Sequence, residues 1–278
     1  MRHHFIWSRL TAFFIGALIM AVPTSVLGVN ADASALRNER AKEDYARITR
    51  AIIDKETSWE GKVELLRRRG ALLSQEFLLD AALSDFREAA SLAPHYSMTH
   101  LDIATALTKL GRYPEAYASF RDGFQANPAN LVLFMTRGMA HFNDGKFKRA
   151  RRDLRRHLKF SKDDMYRMLW LSLAESRLGG DGKGELRKYA NESKSETWPK
   201  PLVSLYLGER SVEDVLAVID ADKGAGAKER RCEAYFFIGQ WHRTNGDETL
   251  ARTYFEKTVD TRARGIMEYA SARLALAL

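Results

Sequence analysis

The period of the chain limits its fold more than any other feature. Ala82, Ala116 and Ala150 stand 34 residues apart, as do Phe86, Phe120 and Leu154, and as do Pro94 and Pro128. Gly70 and Gly138 are two periods apart. A fixed period of this length means one supersecondary unit copied along the chain, stacked so that neighbours bury the face a single unit leaves open. The residue types describe the unit. Gly or Ala at two fixed slots lets two helices approach closely, and the aromatic or Leu at a third slot wedges between successive units. Proline at a fourth slot cannot continue a helix and sets the turn to the next copy. Gly111 and Gly145 fall between the two helices of a unit, where a positive φ is easy for glycine.

A 34-residue helix–turn–helix unit of this pattern resembles the tetratricopeptide repeat, TPR. The first copy starts at Val63, the second at Ser97 and the third at Leu131. A fourth, near Met165, keeps only its first helix, and a last copy begins at Cys232. The expected fold is all-α: a TPR-like helical solenoid with an irregular middle segment and a C-terminal capping helix. The expected divisions are a signal peptide over 1–31, an N-terminal amphipathic helix within 32–62 and three repeats over 63–164. A degenerate repeat and irregular helical segment follow over 165–231, then the last repeat and C-terminal helix over 232–278. Residues 184–193, 202–207 and 211–219 read as short helices, with Ser211 as an N-cap, and 222–228 reads as a flexible loop. The final helix, 266–278, is more apolar than a solvent-facing cap should be. It either packs back into the groove of the array or meets another subunit.

The N-terminus has its own pattern. Arg2 and Arg9 give a basic start, residues 10–22 are almost wholly apolar, and small residues follow at Gly28, Ala31 and Ala33. That order is a secretory signal peptide, cleaved after Ala31, Gly28 or Ala33. The alternative is an uncleaved anchor, since residues 10–29 have the length of a bilayer helix; only that reading brings membrane contact. The expected location is periplasmic or secreted. Cys232 is the only cysteine, so no intrachain disulfide is possible and packing alone must hold the fold. Cleavage after Ala31 leaves 42 Lys and Arg against 36 Asp and Glu, a net charge of +6. Export argues against nucleic acid as the partner. It leaves anionic lipid head groups, wall polymers or an acidic protein patch.

The second half carries a narrower likeness. Trp198-Pro199, Pro201-Leu202, Leu205-Tyr206-Leu207-Gly208 and the run Cys232 to Gln240 (CEAYFFIGQ), with Phe255 and Ile266-Met267-Glu268-Tyr269, resemble the NlpI lipoprotein family. The resemblance covers roughly residues 35–278. It implies a non-enzymatic envelope protein, often a homodimer, that scaffolds peptidoglycan hydrolases and presents substrates to a periplasmic protease. That family is lipidated on a cysteine after its signal; this chain has no cysteine there.

No chemistry-bearing constellation appears. There is no His-x-x-x-His, no P-loop and no Gly-x-Ser-x-Gly, so no catalytic, cofactor or metal residue is expected and the chain reads as no enzyme. His100, His141 and His242 occupy repeat slots and read as packing residues, and Cys232 reads as a buried small hydrophobe. Two surfaces remain as partner sites. The first is the concave groove, for which the repeat slots give Leu101, Thr105, Met135, Met139, Phe142, Phe236 and Gln240; its Met content suits varied peptides. An internal helix, 202–207 or 266–278, could fill it instead. The second is the basic run 146–162, where Ala150, Leu154 and Leu158 point inward. That sends Arg151, Arg152, Arg155, Arg156 and Lys159 to the convex side, either as a solvated face partly neutralised by Asp153 or as a docking patch for an acidic partner. The function these features support is a protein–protein interaction adaptor in the cell envelope. A structural or assembly component of a secretion or polysaccharide-export system is the alternative.

Overall fold

A computed structural model of the chain describes residues 35–191 and 197–277, and among them it has fourteen α-helices and no strand. The apolar N-terminal segment and residues 194–196 of the irregular stretch lie outside the described residues. A first helix, α1 (Glu39–Ile53), is followed by three antiparallel pairs: α2 (Trp59–Gln75) with α3 (Leu79–Leu92), α4 (Ser97–Lys109) with α5 (Tyr113–Ala126), and α6 (Leu131–Asn143) with α7 (Phe147–Leu158). A fourth pair joins α8 (Met165–Ser176) to the short α9 (Gly182–Ala190). Then come α10 (Lys200–Leu207), α11 (Val212–Ala221), the pair α12 (Ala227–Thr244) and α13 (Glu248–Asp260), and a final helix, α14 (Met267–Ala277).

The slot residues act as their spacing implies. A Cβ added at Gly70 would stand 2.5–2.9 Å from the Phe86 ring, one at Gly138 2.9 Å from Leu154, and one at Gly239 2.7 Å from Phe255. Each glycine is therefore where the first helix of a pair meets the large residue of the second, and any side chain there would force the helices apart. Ala82, Ala116, Ala150 and Ala251 are fully buried beside these contacts. Gly111, Gly145 and Gly179 all take a positive φ in the turn between paired helices. In the first unit the same turn position is Phe77, at φ 65. Its ring meets Tyr269 edge-on at 5.5 Å and lies under the Arg273 guanidinium at 4.6 Å.

Several boundaries differ from the expected ones. α2 starts at Trp59, where Ser58 caps it by accepting from the Gly61 amide. α12 starts at Ala227, so the last two residues of the expected 222–228 loop are helical. Its first half is held by Asp222, which accepts from Arg230 Nε at 2.5 Å and from the Gly224 amide. α9 starts at Gly182 because Asp181 caps it by accepting from the Gly184 amide. Ser211 caps α11 in a full capping box with Asp214.

The last helix returns across the array. α14 packs on α12 and α13 and reaches α4 and α6, the first helices of the second and third units. Four polar contacts mark its path: Arg264 against Glu76 at 4.0 Å, Lys109 Nζ donating to the Gly265 carbonyl at 2.7 Å, Trp170 Nε1 donating to Glu268 at 3.3 Å, and Asn143 Nδ2 donating to Ser271 Oγ at 2.8 Å. Of the two fates open to the C-terminal helix, the chain takes the return onto its own concave side.

Candidate functional site: the concave channel and the basic helix

Because α14 lies over the first helices, much of the groove wall is core. Phe236 is fully buried, and Leu101, Met139, Phe142 and Gln240 are no more than 5% exposed. Met135 and Thr105 are half-buried, with Thr105 Oγ1 donating to the Leu101 carbonyl. At the N-terminal end the wall is tied by Arg67, which donates to Asp102 at 2.6 Å and lies over the Tyr96 ring.

What stays open is a channel between α14 and the ends of α4, α6, α8 and α12. It comprises two cavities of about 540 and 680 Å³ that share Arg177, Arg243 and Ala275. Leu110, Tyr113, Phe142 and Phe147 supply apolar walls, and Asn143, Gln240 and Ser271 supply polar atoms. Of the seven groove residues expected from the sequence, Phe142 and Gln240 line this channel; the other five do not. The sequence reading missed Arg177. It follows Asn143, a concave-slot residue, by 34 positions, which was the signal to extend the slots through the degenerate unit.

The two arginines differ in their partners. Arg243 forks onto Glu248 and its guanidinium sits 4.7 Å from the Phe255 ring centre. Arg177 rests 4.7 Å from the Phe147 ring centre, and among the described residues no carboxylate lies within ion-pair distance of it. Burial first, and then the nearby Arg243 charge, lower its pKa from the ordinary arginine value. The channel thus offers apolar walls, amide groups, the carboxylates Asp144 and Glu248, and one arginine, Arg177, that feels the Glu248 charge but forms no ion pair, a combination suited to an extended peptide segment bearing a carboxylate.

The basic helix α7 does not present one uniform face. Arg155 lies 2.7 Å from Glu175 and 3.1 Å from Glu185, and Arg151 lies 3.3 Å from Glu175. Arg156 and Lys159 stand over the exposed Phe160 ring. Arg152 points the other way, towards α5 and α6. Asp153 does not sit among the surface charges: it is 1% exposed and takes both forks of Arg137 at 2.7 and 3.0 Å. Its contact with Arg152 is only 3.7 Å, so the partial neutralisation expected of it comes instead from Glu175 and Glu185.

The remaining singled-out residues are packing groups. His141 is buried and stacked on Tyr117, His242 is stacked on Tyr254, and His100 Nε2 contacts the Pro94 carbonyl. Cys232 is fully buried, its Sγ 3.7 Å from the Thr258 carbonyl, and burial pushes its thiol up to about 12, far from the thiolate a nucleophile needs. Among the described residues, no three His, Cys, Asp or Glu side chains are grouped to hold a metal ion, and no helix is long and apolar enough to cross a membrane.

No protein-family model matches the chain. Among solved structures it is similar to a tetratricopeptide repeat protein from Parabacteroides merdae, at 16% identity over 91% of this chain and 98% of that one, with a TM-score of 0.52. The fold is a TPR-like solenoid. Looser similarities are to YrrB, a TPR protein with an unusual peptide-binding site (17% identity, 83% of this chain, 98% of that one, TM-score 0.42), and to MamA (14% identity, 72% and 91%, TM-score 0.42).

Proposed function

We propose that the protein is a non-catalytic adaptor that binds peptide segments of other proteins in the concave channel. The observation that carries this reading is the part of the groove left open beside α14, where Arg177 lies against Phe147 outside ion-pair distance of the lining carboxylates. A peptide carboxylate would meet Arg177, its main chain would pair with Asn143 and Gln240, and an apolar side chain would lie against Tyr113 and Phe147. The signal-like N-terminus supports a role in the cell envelope, in the periplasm or outside the cell. The narrower likeness of the second half nominates peptidoglycan hydrolases or a periplasmic protease as the partners. A homodimer belongs to the same reading, with α1 as its arm, where Ile53 and the neighbouring Trp59 are more than half exposed.

The test is affinity capture from envelope fractions with the mature chain as bait, beside an Arg177→Glu variant. Recovery of a wall hydrolase or processing protease by the wild type, lost in the variant, is the expected result. Recovery of export-machine components alone would move the protein to a secretion or polysaccharide-export assembly. Equal capture by both baits would remove the channel from the interaction.

A further inference from the structure

A second concavity lies away from the channel, where α5, α6 and α7 meet. Tyr117 and Arg121 on α5, Arg137 and His141 on α6, and Arg149 and Arg152 on α7 line a cleft of about 310 Å³. Each helix contributes two residues spaced three or four apart, so each pair shares one helical face. Four guanidiniums from three helices therefore open on one small volume. The carboxylates nearby do not cancel them. Asp153 is committed to both forks of Arg137, with Arg152 at 3.7 Å, and Asp122 touches Arg121 at 3.4 Å on an exposed edge. Among the described residues Arg149 has no carboxylate within ion-pair distance.

A second feature of the cleft is independent of charge counting. His141 is 4% exposed, yet its Nδ1 has no hydrogen-bond partner among the described residues, and its Nε2 is 3.7 Å from Asp153, too far for a good hydrogen bond. A buried polar nitrogen left unpaired is uncommon and asks for a partner. Burial is the main reason this imidazole is lowered to about 4. Asp153 pulls the other way, and the Arg137, Arg149 and Lys146 charges each lower it further. The hydroxyl of Tyr117, stacked on the ring, donates to Asp144, so it is not the missing partner.

We propose that this cleft is a binding site for a phosphate-class dianion. One carboxylate would leave several guanidinium forks without an acceptor. A tetrahedral dianion presents enough oxygens to accept from Arg121, Arg149 and Arg152 together, above the buried His141 ring that floors the cleft. Arg137, fixed by Asp153 and stacked 4.3 Å from the Phe124 ring centre, forms the rigid side of the site. The proposal does not depend on the concave channel, which shares none of these residues.

The test is calorimetric titration of the purified protein with inorganic phosphate, against chloride at matched ionic strength. The expected result is one phosphate per chain, bound at least about tenfold more tightly than chloride. Arg149→Gln with Arg152→Gln should weaken it by about tenfold or more, from the loss of two charge-assisted contacts. Arg156→Gln with Lys159→Gln removes the same charge from the exposed end of the same segment, outside the cleft, and should leave phosphate binding unchanged. Equal weakening by both pairs, or no preference for phosphate over chloride, would overturn the site. Arg149 and Arg152 are exposed, and Arg121→Gln on α5 provides a further variant should the α7 double change impair folding. Sedimentation with phosphatidic-acid vesicles that the cleft variant abolishes would assign the anion to a lipid head group. Phosphate binding without vesicle binding would assign it to a soluble phosphate.

Discussion

The two halves of the array fill their interiors differently. From Leu36 to Ala140 the core is mostly Leu and Ala, with Tyr45, Ile103, Phe86 and Phe120, and from Leu73 onward the repeat units supply it. From Met139 to Ala272 a second core gathers around Trp170, which touches Phe142, Phe236 and Phe237 at ring-centre distances of 5.0, 5.2 and 6.0 Å. The two meet within α6. Where each unit repeats its slots, small residues let backbones approach and the contact with one neighbour is complete. Where the period lapses, between Gly179 and Lys228, the short helices bury Leu186, Leu202, Leu205, Val215 and Ile219 in the same core as these large rings. The rings come from α6, α8 and α12, far apart in sequence. A regular stack can lose or gain a unit; the aromatic half closes as one body, and α14 extends that closure back over the regular half.

The largest test of this contrast is Trp170→Ala. The ring is fully buried, and its loss should cost about 3–5 kcal/mol in denaturant unfolding. If the regular half keeps its helicity while the aromatic half melts, the two cores are separate cooperative units; a single transition would join them. In the regular half, Asp85→Ala should come close to this effect, at about 3 kcal/mol. It leaves buried Arg69 without the carboxylate that takes both its forks at 2.6 and 2.8 Å. Ala116→Trp should cost about 1–3 kcal/mol by overpacking the α4–α5 contact, and a neutral result would contradict the slot register.

A pH effect should belong to the aromatic half. Burial, and then the Glu268 carboxylate, push Glu233 up to about 7, although Tyr166 and Trp198 donate to it. Between its ordinary 4.5 and about 7 the folded chain holds a proton that the unfolded chain has lost. This group's stabilising effect is therefore full below pH 4.5 and is lost as pH rises through 7. Glu233→Gln should flatten that slope in thermal melts taken across the window. The smallest effect is expected at the join. Phe77→Gly relieves a positive φ but removes the ring between Tyr269 and Arg273. Global stability should shift by less than about 1 kcal/mol, while amide exchange in α14 quickens.

The helix pairs, their turns and the close approaches at Gly70 and Gly138 were legible in the sequence. They follow from the helical period and from residue volume, which act over one unit and its neighbour. Phe142 and Gln240 were legible as channel residues for the same reason. Arg177 was hidden by the failing period around it, although its slot was intact. The neutralising partners of α7 were not legible, because Glu175 and Glu185 lie 20 to 30 residues ahead of Arg155 and only the packing of α8 and α9 on α7 brings them near.

The sequence by itself determined the all-helical repeat, the inward faces and the burial of Cys232 and His141, since spacing and volume settle those locally. Tertiary structure alone decided that α14 covers the groove, that Asp153 turns inward to Arg137 and that six residues of three helices make one cleft. Those outcomes depend on the curvature of the stack, a sum of small angles between units that no single slot records.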